Sequence, residues 1–252
     1  MERKDFLRGL GLVGLGSLAI PILSACGGDD DSSTDSSATD TTEATDTGSS
    51  SGSSTCSVTP SETAGPFPTK SPSSLVKSDI TSDRTGVPLT INITIQNKNA
   101  NCAALAGALV DIWHCDKDGY YSEYGGTGMQ SADFTSVHFL RGRQTTNANG
   151  LVSFTSIFPG WYSGRATHIH VHVYNSAGTS LLVTQIAFPE GSGSAVVLVN
   201  ASTSNGYTKG MSGYTYNAND NVFSDGFTSE LATVTGSVAT GFTLTHKINV
   251  AG

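Results

Sequence analysis

The sequence predicts an all-β protein, a single β-sandwich domain built of mainly antiparallel strands. Glycine is abundant, with 29 of the 252 residues, while charged residues make up only 13% of the chain. Short apolar runs alternate with Thr, Ser and Asn at a period of two residues, which is typical of strands with one buried face. No segment keeps a helical period beyond about two turns, so we expect strands joined by turns.

The expected strands follow a proline-rich lead-in, residues 56–72, which its prolines keep extended. The clearest strand runs from Leu89 to Gln96, where apolar residues alternate with Thr, Asn and Gln. The apolar run at residues 196–199 fits either a strand or a helix. Further strands are predicted near residues 108–114, 151–157, 168–173 and 181–188, with two closing strands in 231–250.

Residues 1–26 have the pattern of an export signal, with a basic start followed by the apolar stretch Leu10–Leu23. The first residues resemble a twin-arginine motif in which Lys4 replaces the second arginine, so the twin-arginine and general secretory routes both stay open. The four residues that end at Cys26 resemble a bacterial lipobox. The resemblance implies a lipid on Cys26 and a lipid-anchored envelope protein, with the outer membrane favoured by Gly27. A plain cleaved signal, giving a periplasmic or extracellular protein, and a membrane anchor are the alternatives.

Residues 27–55 are rich in Ser, Thr and Asp and carry seven acidic residues and no basic residue. Such a segment buries too little apolar surface to offset chain entropy, so we predict a disordered tether. Most of the net charge of −8 therefore belongs to the tether, and residues 56–252 form a nearly neutral domain. The absence of a basic patch in the sequence argues against a nucleic-acid partner.

Three further cysteines, Cys56, Cys102 and Cys115, lie in the domain. An exported protein meets an oxidising compartment, so one disulfide is expected. A strand between Cys102 and Cys115 would hold these two residues roughly 20 Å apart, too far for a disulfide. We therefore favour Cys56 with Cys115, while other pairings and a Cys-His zinc site stay open.

Three histidines, His168, His170 and His172, alternate with Ile169, Val171 and Val173. Residues two apart in a strand point to the same face, so the imidazoles share one face and the β-branched residues the other. Buried imidazoles need partners, and a metal ion is a common one. A solvated face and a hydrogen-bonded core pair are the alternative interpretations.

Further motifs surround these histidines in a fixed order: Asp111 to Asp116, Gly119 to Ser122, Phe139 to Gly142, Pro159 to Tyr162, Gly164-Arg165, His168 to His170, and Thr184-Gln185. Their order, residue types and spacings resemble those of the intradiol ring-cleavage dioxygenase family, which includes protocatechuate and catechol dioxygenases. The resemblance covers roughly residues 59–190.

The resemblance implies one ferric ion per chain, held by Tyr121, Tyr162, His168 and His170. Phenolate is a hard anionic oxygen donor, which favours Fe(III) over Fe(II), and imidazole is a borderline donor. A trivalent cation stabilises the phenolate although a free tyrosine has a pKa near 10. His172 is not a ligand in the family, and we expect it in the core or next to the ligands.

The same resemblance implies the reaction: a catechol displaces Tyr162, dioxygen attacks the bound ring, and opening between the hydroxyls gives a muconate-type diacid. Arg165 would stabilise negative charge on the ring, and Gln185 would donate hydrogen bonds nearby. The expected partners are thus a small aromatic diol and O₂. Arg165 in a surface ion pair is the alternative for that residue.

Two departures from the family pattern stand out. Ala64 occupies a position where many relatives carry an acid, in a lead-in that shapes the substrate entrance of the family. The sequence also shows no helical dimerisation domain of the catechol dioxygenase kind, so we expect a protocatechuate 3,4-dioxygenase-like core that is a monomer or a weak oligomer. A non-catalytic envelope lipoprotein that binds aromatics or glycans is the rival hypothesis. A cupin-type metalloenzyme is less favoured, because no acid follows His170 before Glu190.

Overall fold

The computed structural model describes residues 56–126 and 128–252. The predicted export signal, residues 1–26, and the predicted tether, residues 27–55, lie outside the described residues. The described part contains nine strands, one short α-helix and five 3₁₀ turns. The strands are β1 (Pro88–Asn97), β2 (Ala103–Ala104), β3 (Leu109–Trp113), β4 (Arg141–Thr145), β5 (Leu151–Ile157), β6 (His168–Tyr174), β7 (Ser180–Ala187), β8 (Thr233–Ser237) and β9 (Gly241–Val250), and the helix is α1 (Ala195–Asn200).

The strands form two sheets. One sheet has the order β2-β1-β9-β8, with β5 also paired to β1, and the other has the order β4-β3-β6-β7. All pairings are antiparallel except the one between β1 and β9. The prediction of a single β-sandwich of mainly antiparallel strands is therefore confirmed.

The core lies between the two sheets and is filled by the apolar residue of each alternating pair. On β1, Leu89, Ile91, Ile93 and Ile95 are fully buried, while the Thr and Asn residues between them face outwards. On β6, the residues that enter this core are Ile169, Val171 and Val173. The histidines of β6 consequently lie on the outer face of their sheet.

The apolar run at residues 196–199, which fitted a strand or a helix, is a helix. Val196 and Val199, three residues apart, are the valines that it buries. Ser194 precedes the helix, and its side chain accepts a hydrogen bond from the backbone N–H of Val197, which supports the first turn. Within the described residues no helix is both long and apolar enough to cross a membrane.

The favoured disulfide was wrong: Cys56 is bonded to Cys102, with their Cα atoms 6.0 Å apart, and Cys115 is a buried free thiol. The lead-in runs beside the end of β9, where the backbone N–H of Thr59 donates to the carbonyl of Asn249. That end of β9 is paired with the end of β1, next to Cys102. The sequence does not show this contact, because the parallel pairing of β1 and β9 brings together opposite ends of the domain.

We expect replacement of Cys102 by Ser to lower the free energy of unfolding by about 2–4 kcal/mol, because the bond closes a long loop in the unfolded chain. Chemical denaturation of the oxidised domain measures the change. Cys56→Ser, alone or together with Cys102→Ser, should give the same loss, since either change removes one bond. Non-reducing peptide mapping that finds Cys115 in a disulfide would contradict the pairing.

Candidate metal centre

The candidate site lies on the outer face of the β4-β3-β6-β7 sheet, where β6 carries His168 and His170. Both imidazoles are buried, with exposures of 2% and 1%. The lead-in covers them: its Phe67 belongs to a small apolar cluster with Trp113, Cys115 and Tyr121, and Ala64 and Tyr162 pack against this cluster. The site is thus enclosed between a sheet face and irregular segments of chain.

The strand register sets the surroundings of His170. It is paired with Trp113 of β3 on one side and with Gln185 of β7 on the other. The Trp113 ring stacks on the His170 ring, with centroids 4.9 Å apart and planes 1° from parallel. Residues paired across neighbouring strands share a face, so these three side chains form one row across the sheet.

The donor atoms of three of the four predicted ligands come together at this row, and the ring of the fourth, Tyr162, lies beside them. His168 Nε2 lies 3.2 Å from Tyr121 Oη and 3.2 Å from His170 Nε2. The Tyr162 ring is 5.8 Å from the rings of both Tyr121 and His168, measured between centroids. Tyr121 follows β3 and Tyr162 precedes β6, so two loops and one strand supply the set.

One hydrogen bond fixes the tautomer of His168. Its Nδ1 lies 2.6 Å from the carbonyl oxygen of Ala166, which can only accept, so Nδ1 carries the proton. Nε2 then presents a lone pair towards Tyr121 and His170. A metal-binding histidine usually donates its second N–H in this way, which orients the ring.

Burial keeps all four groups neutral in the absence of a cation. Burial, and next the charge of Arg165, lower the pKa of His168 well below its ordinary value. Burial, and next His168, do the same to the pKa of His170. Burial also raises the pKa of the Tyr121 phenol well above 10, and that of the Tyr162 phenol to a smaller extent. Neutral imidazoles are the form that binds metals.

The donor set fits a cation. Two ligands that each lie about 2 Å from one cation are about 3 Å apart, close to the 3.2 Å separations here. A single lone pair of His168 faces both Tyr121 and His170, and one positive ion would satisfy all three atoms. Two phenols, which become hard anionic donors when a cation ionises them, and two borderline imidazoles form a set suited to Fe(III). The set depends on its tyrosines, because the described residues contain no group of three or more His, Cys, Asp or Glu arranged to hold a metal.

Arg165 and Gln185, the other predicted site residues, border the ligands. Arg165 is buried and Nη1 lies 3.4 Å from both Tyr162 Oη and His168 Nε2. Its Nη2 donates to Gln185 Oε1 at 2.5 Å, and Gln185 Nε2 donates to the carbonyl of Thr63 at 2.8 Å. Arg165 therefore faces the site and does not form a surface ion pair, while Gln185 ties the lead-in to the sheet.

His172, expected in the core or next to the ligands, lies apart from them. It is half-buried, its Nε2 is 2.8 Å from Ser180 Oγ, and its ring stacks on Tyr174. The shared face that the alternation predicts is present, but only its first two histidines are enclosed.

Sequence analysis missed two residues of the site. Gly65 passes directly over His170: a Cβ at Gly65 would lie 2.9 Å from His170 Cε1. Asp220, which is 1% exposed, holds the Arg165 guanidinium through both carboxylate oxygens at 2.9 Å. The Gly-Pro pair of the lead-in is a visible signal for Gly65. Asp220 lies in a segment without a pattern, and no local signal identifies it.

Comparison with known proteins places the chain in a family. A family model described as Dioxygenase matches residues 65–213, more than half of the chain. An intradiol ring-cleavage dioxygenase from Tetranychus urticae has the same fold, with a TM-score of 0.67 and 26% identity over 77% of this chain and 95% of that one. The chain belongs to the intradiol ring-cleavage dioxygenase family. The dioxygenase domain of a carbohydrate-binding fusion protein from Streptomyces sp. SirexAA-E also matches, with a TM-score of 0.53 and 26% identity over 77% of this chain and 97% of that one.

Two curated relatives of this intradiol dioxygenase family member share part of its sequence. Catechol 1,2-dioxygenase 1 of Acinetobacter lwoffii is 30% identical over 42% of this chain and 37% of the relative. Chlorocatechol 1,2-dioxygenase of Rhodococcus opacus is 27% identical over 49% of this chain and 51% of the relative. The chain thus spans about half or less of the length of these relatives.

We expect Gly65→Ala to weaken ferric ion binding about tenfold or more, because the new methyl group displaces His170 or the lead-in. Iron content after loading and dialysis measures the effect. Gly178→Ala is the matched control: Gly178 has φ +85° against +69° at Gly65, and a Cβ there meets no atom within 4 Å. Equal iron binding by the two variants would show that the close approach to His170 is unimportant.

Proposed function

We propose that this protein is a non-haem Fe(III) intradiol dioxygenase that opens the ring of a catechol-type 1,2-diol with O₂. The ring is cleaved between the two hydroxyl-bearing carbons to give a muconate-type diacid. Both oxygen atoms enter the product, so the reaction requires no external reductant. The observation that carries the proposal is the convergence of two phenols and two imidazoles at one buried position.

Tyr121, Tyr162, His168 and His170 would hold one ferric ion. When bound, this ion supplies the positive charge that keeps the phenols and the diol ionised and makes the diol reactive towards O₂. The two tyrosines differ in their freedom to move. Tyr121 is fully buried and stacked on Phe67, with ring centroids 4.9 Å apart, whereas Tyr162 is half-buried and borders an open cavity. Tyr162 is therefore the tyrosine that an entering diol can replace.

Arg165 and Gln185 would act on the substrate side of the ligands. Arg165 Nη1 lies 3.4 Å from Tyr162 Oη, where its positive charge would offset negative charge on a bound diol. Gln185 fixes the guanidinium through the bond to its Nη2. A hydrogen-bond donor that is fixed in place stabilises transition-state charge more than a mobile one, because it needs no reorganisation during the reaction.

The relatives support a catechol-type substrate. The two curated relatives are named as catechol and chlorocatechol 1,2-dioxygenases, and both match at 27–30% identity. The names of the two structural relatives given above state no substrate. A catechol-type 1,2-diol is thus the substrate class proposed here, and the choice among such diols depends on the cavity above the ligands.

We expect Tyr121→Phe and His168→Ala to abolish ferric ion binding, since each removes a donor atom from the set. The purified domain, residues 56–252, should show a visible charge-transfer band from tyrosinate on Fe(III), which shifts on addition of catechol and bleaches in air. His172→Ala is the matched control, because it removes an imidazole from the same strand face and should keep the band. Iron content, absorbance and oxygen uptake are measured together.

Full iron occupancy and activity in His168→Ala would refute the ligand assignment. A wild-type domain that stays colourless after ferric loading would refute the dioxygenase proposal and favour the rival binding lipoprotein.

We also propose that the protein is anchored to the bacterial cell envelope by a lipid on Cys26 and acts as a monomer or weak oligomer. The disulfide between Cys56 and Cys102 supports an oxidising compartment. Sedimentation velocity of the domain tests the oligomeric state.

In bacterial cells that produce the full chain, we expect labelled palmitate to be incorporated and Cys26→Ser to abolish the labelling. Cys26 is the predicted acceptor of the lipid, so this variant should leave the membrane fraction. Cys115→Ser is the control, because Cys115 is buried in the folded domain. Label that persists in Cys26→Ser would exclude the predicted anchor.

A further inference from the structure

A cavity of about 340 Å³ opens above the ligands, and irregular segments of the chain surround it. The lead-in, the loop before β6 and the 3₁₀ turn Asn221–Phe223 all contribute residues to its lining. Met129, which is 66% exposed, and Val222 contribute apolar surface. The lining residues are Thr63, Gly65, Pro66, Met129, Tyr162, Ser163, Gly164, Arg165, Asn221 and Val222.

The charge at this cavity is balanced. Among the described residues that line it, Arg165 is the only basic one. Asp220 lies directly behind Arg165, and each of its carboxylate oxygens is 2.9 Å from Arg165 Nε. The same carboxylate accepts hydrogen bonds from the backbone N–H groups of Ala166, at 2.8 Å, and Val222, at 3.0 Å. The carboxylate is therefore fixed in place and offsets the positive charge that would otherwise face the cavity.

Two more carboxylates add negative charge near Arg165 and Asp220. Glu62 belongs to the lead-in, and burial, followed by the charge of Asp225, raises the pKa of its carboxyl group. Arg165 and Asp220 also act on this carboxyl, so all four charges lie within electrostatic reach of one another. Neither Glu62 nor Asp225 lines the cavity, so the pairing of Arg165 with Asp220 governs the charge that an entering anion meets there.

We propose that Asp220 is a specificity-determining residue that selects uncharged aromatic diols against diols with a carboxylate on the ring. This inference rests on the proposed function and names the substrate class of the same site. Asp220 does not contact the reacting atoms; it acts through Arg165, whose charge it neutralises. Among the described residues that line the cavity, none is an unpaired cation that could receive a ring carboxylate, so desolvation of that carboxylate would not be offset.

The test compares two diols of similar size that differ in charge, 3,4-dihydroxybenzoate and its methyl ester, with catechol as the reference. We expect the iron-loaded wild-type domain to use the ester with a kcat/KM about tenfold or more above that of the acid. The ratio should narrow in high salt, because screening weakens the repulsion. Asp220→Asn exposes the Arg165 charge and should lower the ratio about fivefold or more, mainly through the KM of the acid.

Asp225→Asn is the matched control, because it removes one nearby negative charge but leaves the ion pair between Arg165 and Asp220 intact. It should change the ester-to-acid ratio of kcat/KM by less than about twofold. Equal use of acid and ester by the wild type overturns the inference, and so does a folded, iron-loaded Asp220→Asn with an unchanged ratio. If Asp220→Asn fails to fold, the wild-type ratio of kcat/KM for ester over acid and its dependence on salt test the inference. A ratio that does not change with salt reflects the shape of the cavity and not its charge, and overturns the inference. Turnover of catechol supports the proposed function whatever the ratio between ester and acid. A wild type that turns over none of the three diols refutes the proposed function, and this inference with it.

Discussion

The desolvation of His168, His170 and Tyr121 is the constraint on which the rest of the site depends. Each is at most 2% exposed, and their polar atoms face one another and not water. Burying such groups opposes folding unless each finds a partner. Only one nitrogen, Nδ1 of His168, has a fixed backbone partner, and Nδ1 of His170 has no hydrogen-bond partner in the structure. The sandwich core must therefore stabilise an arrangement that a cation would then complete.

Fold and site share the strand β6. Its β-branched residues fill the core, and its histidines face the ligand position on the opposite side. A shift of one residue in its pairing would turn the imidazoles into the core and the valines outwards. The same register places Trp113 and Gln185 on the two sides of His170. The apolar face of the strand thus fixes the position of the two candidate metal ligands, and the hydrophobic effect sets the geometry of a polar site.

The parts of this structure that the sequence predicts are those with a local signal. The alternation in β1 and β6 predicts the sandwich, and the motifs around Tyr121, Tyr162, His168 and Arg165 predict which side chains meet. The disulfide was missed because the pairing of Cys56 with Cys102 depends on β9 lying parallel to β1. Asp220 was missed for the same kind of reason, since its partner Arg165 lies 55 residues earlier in the chain. Contacts between distant segments depend on the topology of the strands, which the periodicity of the sequence does not reveal.

The residues of the candidate site are divided between the strands and the loops. The sheet holds the two histidines and Gln185, while the loops carry the two tyrosines, Arg165 and the whole lining of the cavity. Strands resist change, because each residue has a core face or a paired neighbour, whereas surface segments tolerate substitution. Within the lead-in, Gly65 and Phe67 are constrained by His170 and Tyr121, whereas its residues that touch no ligand can vary more freely. It follows that the sheet fixes two of the candidate ligands, while the segments that cover it determine which molecules fit the cavity beside them.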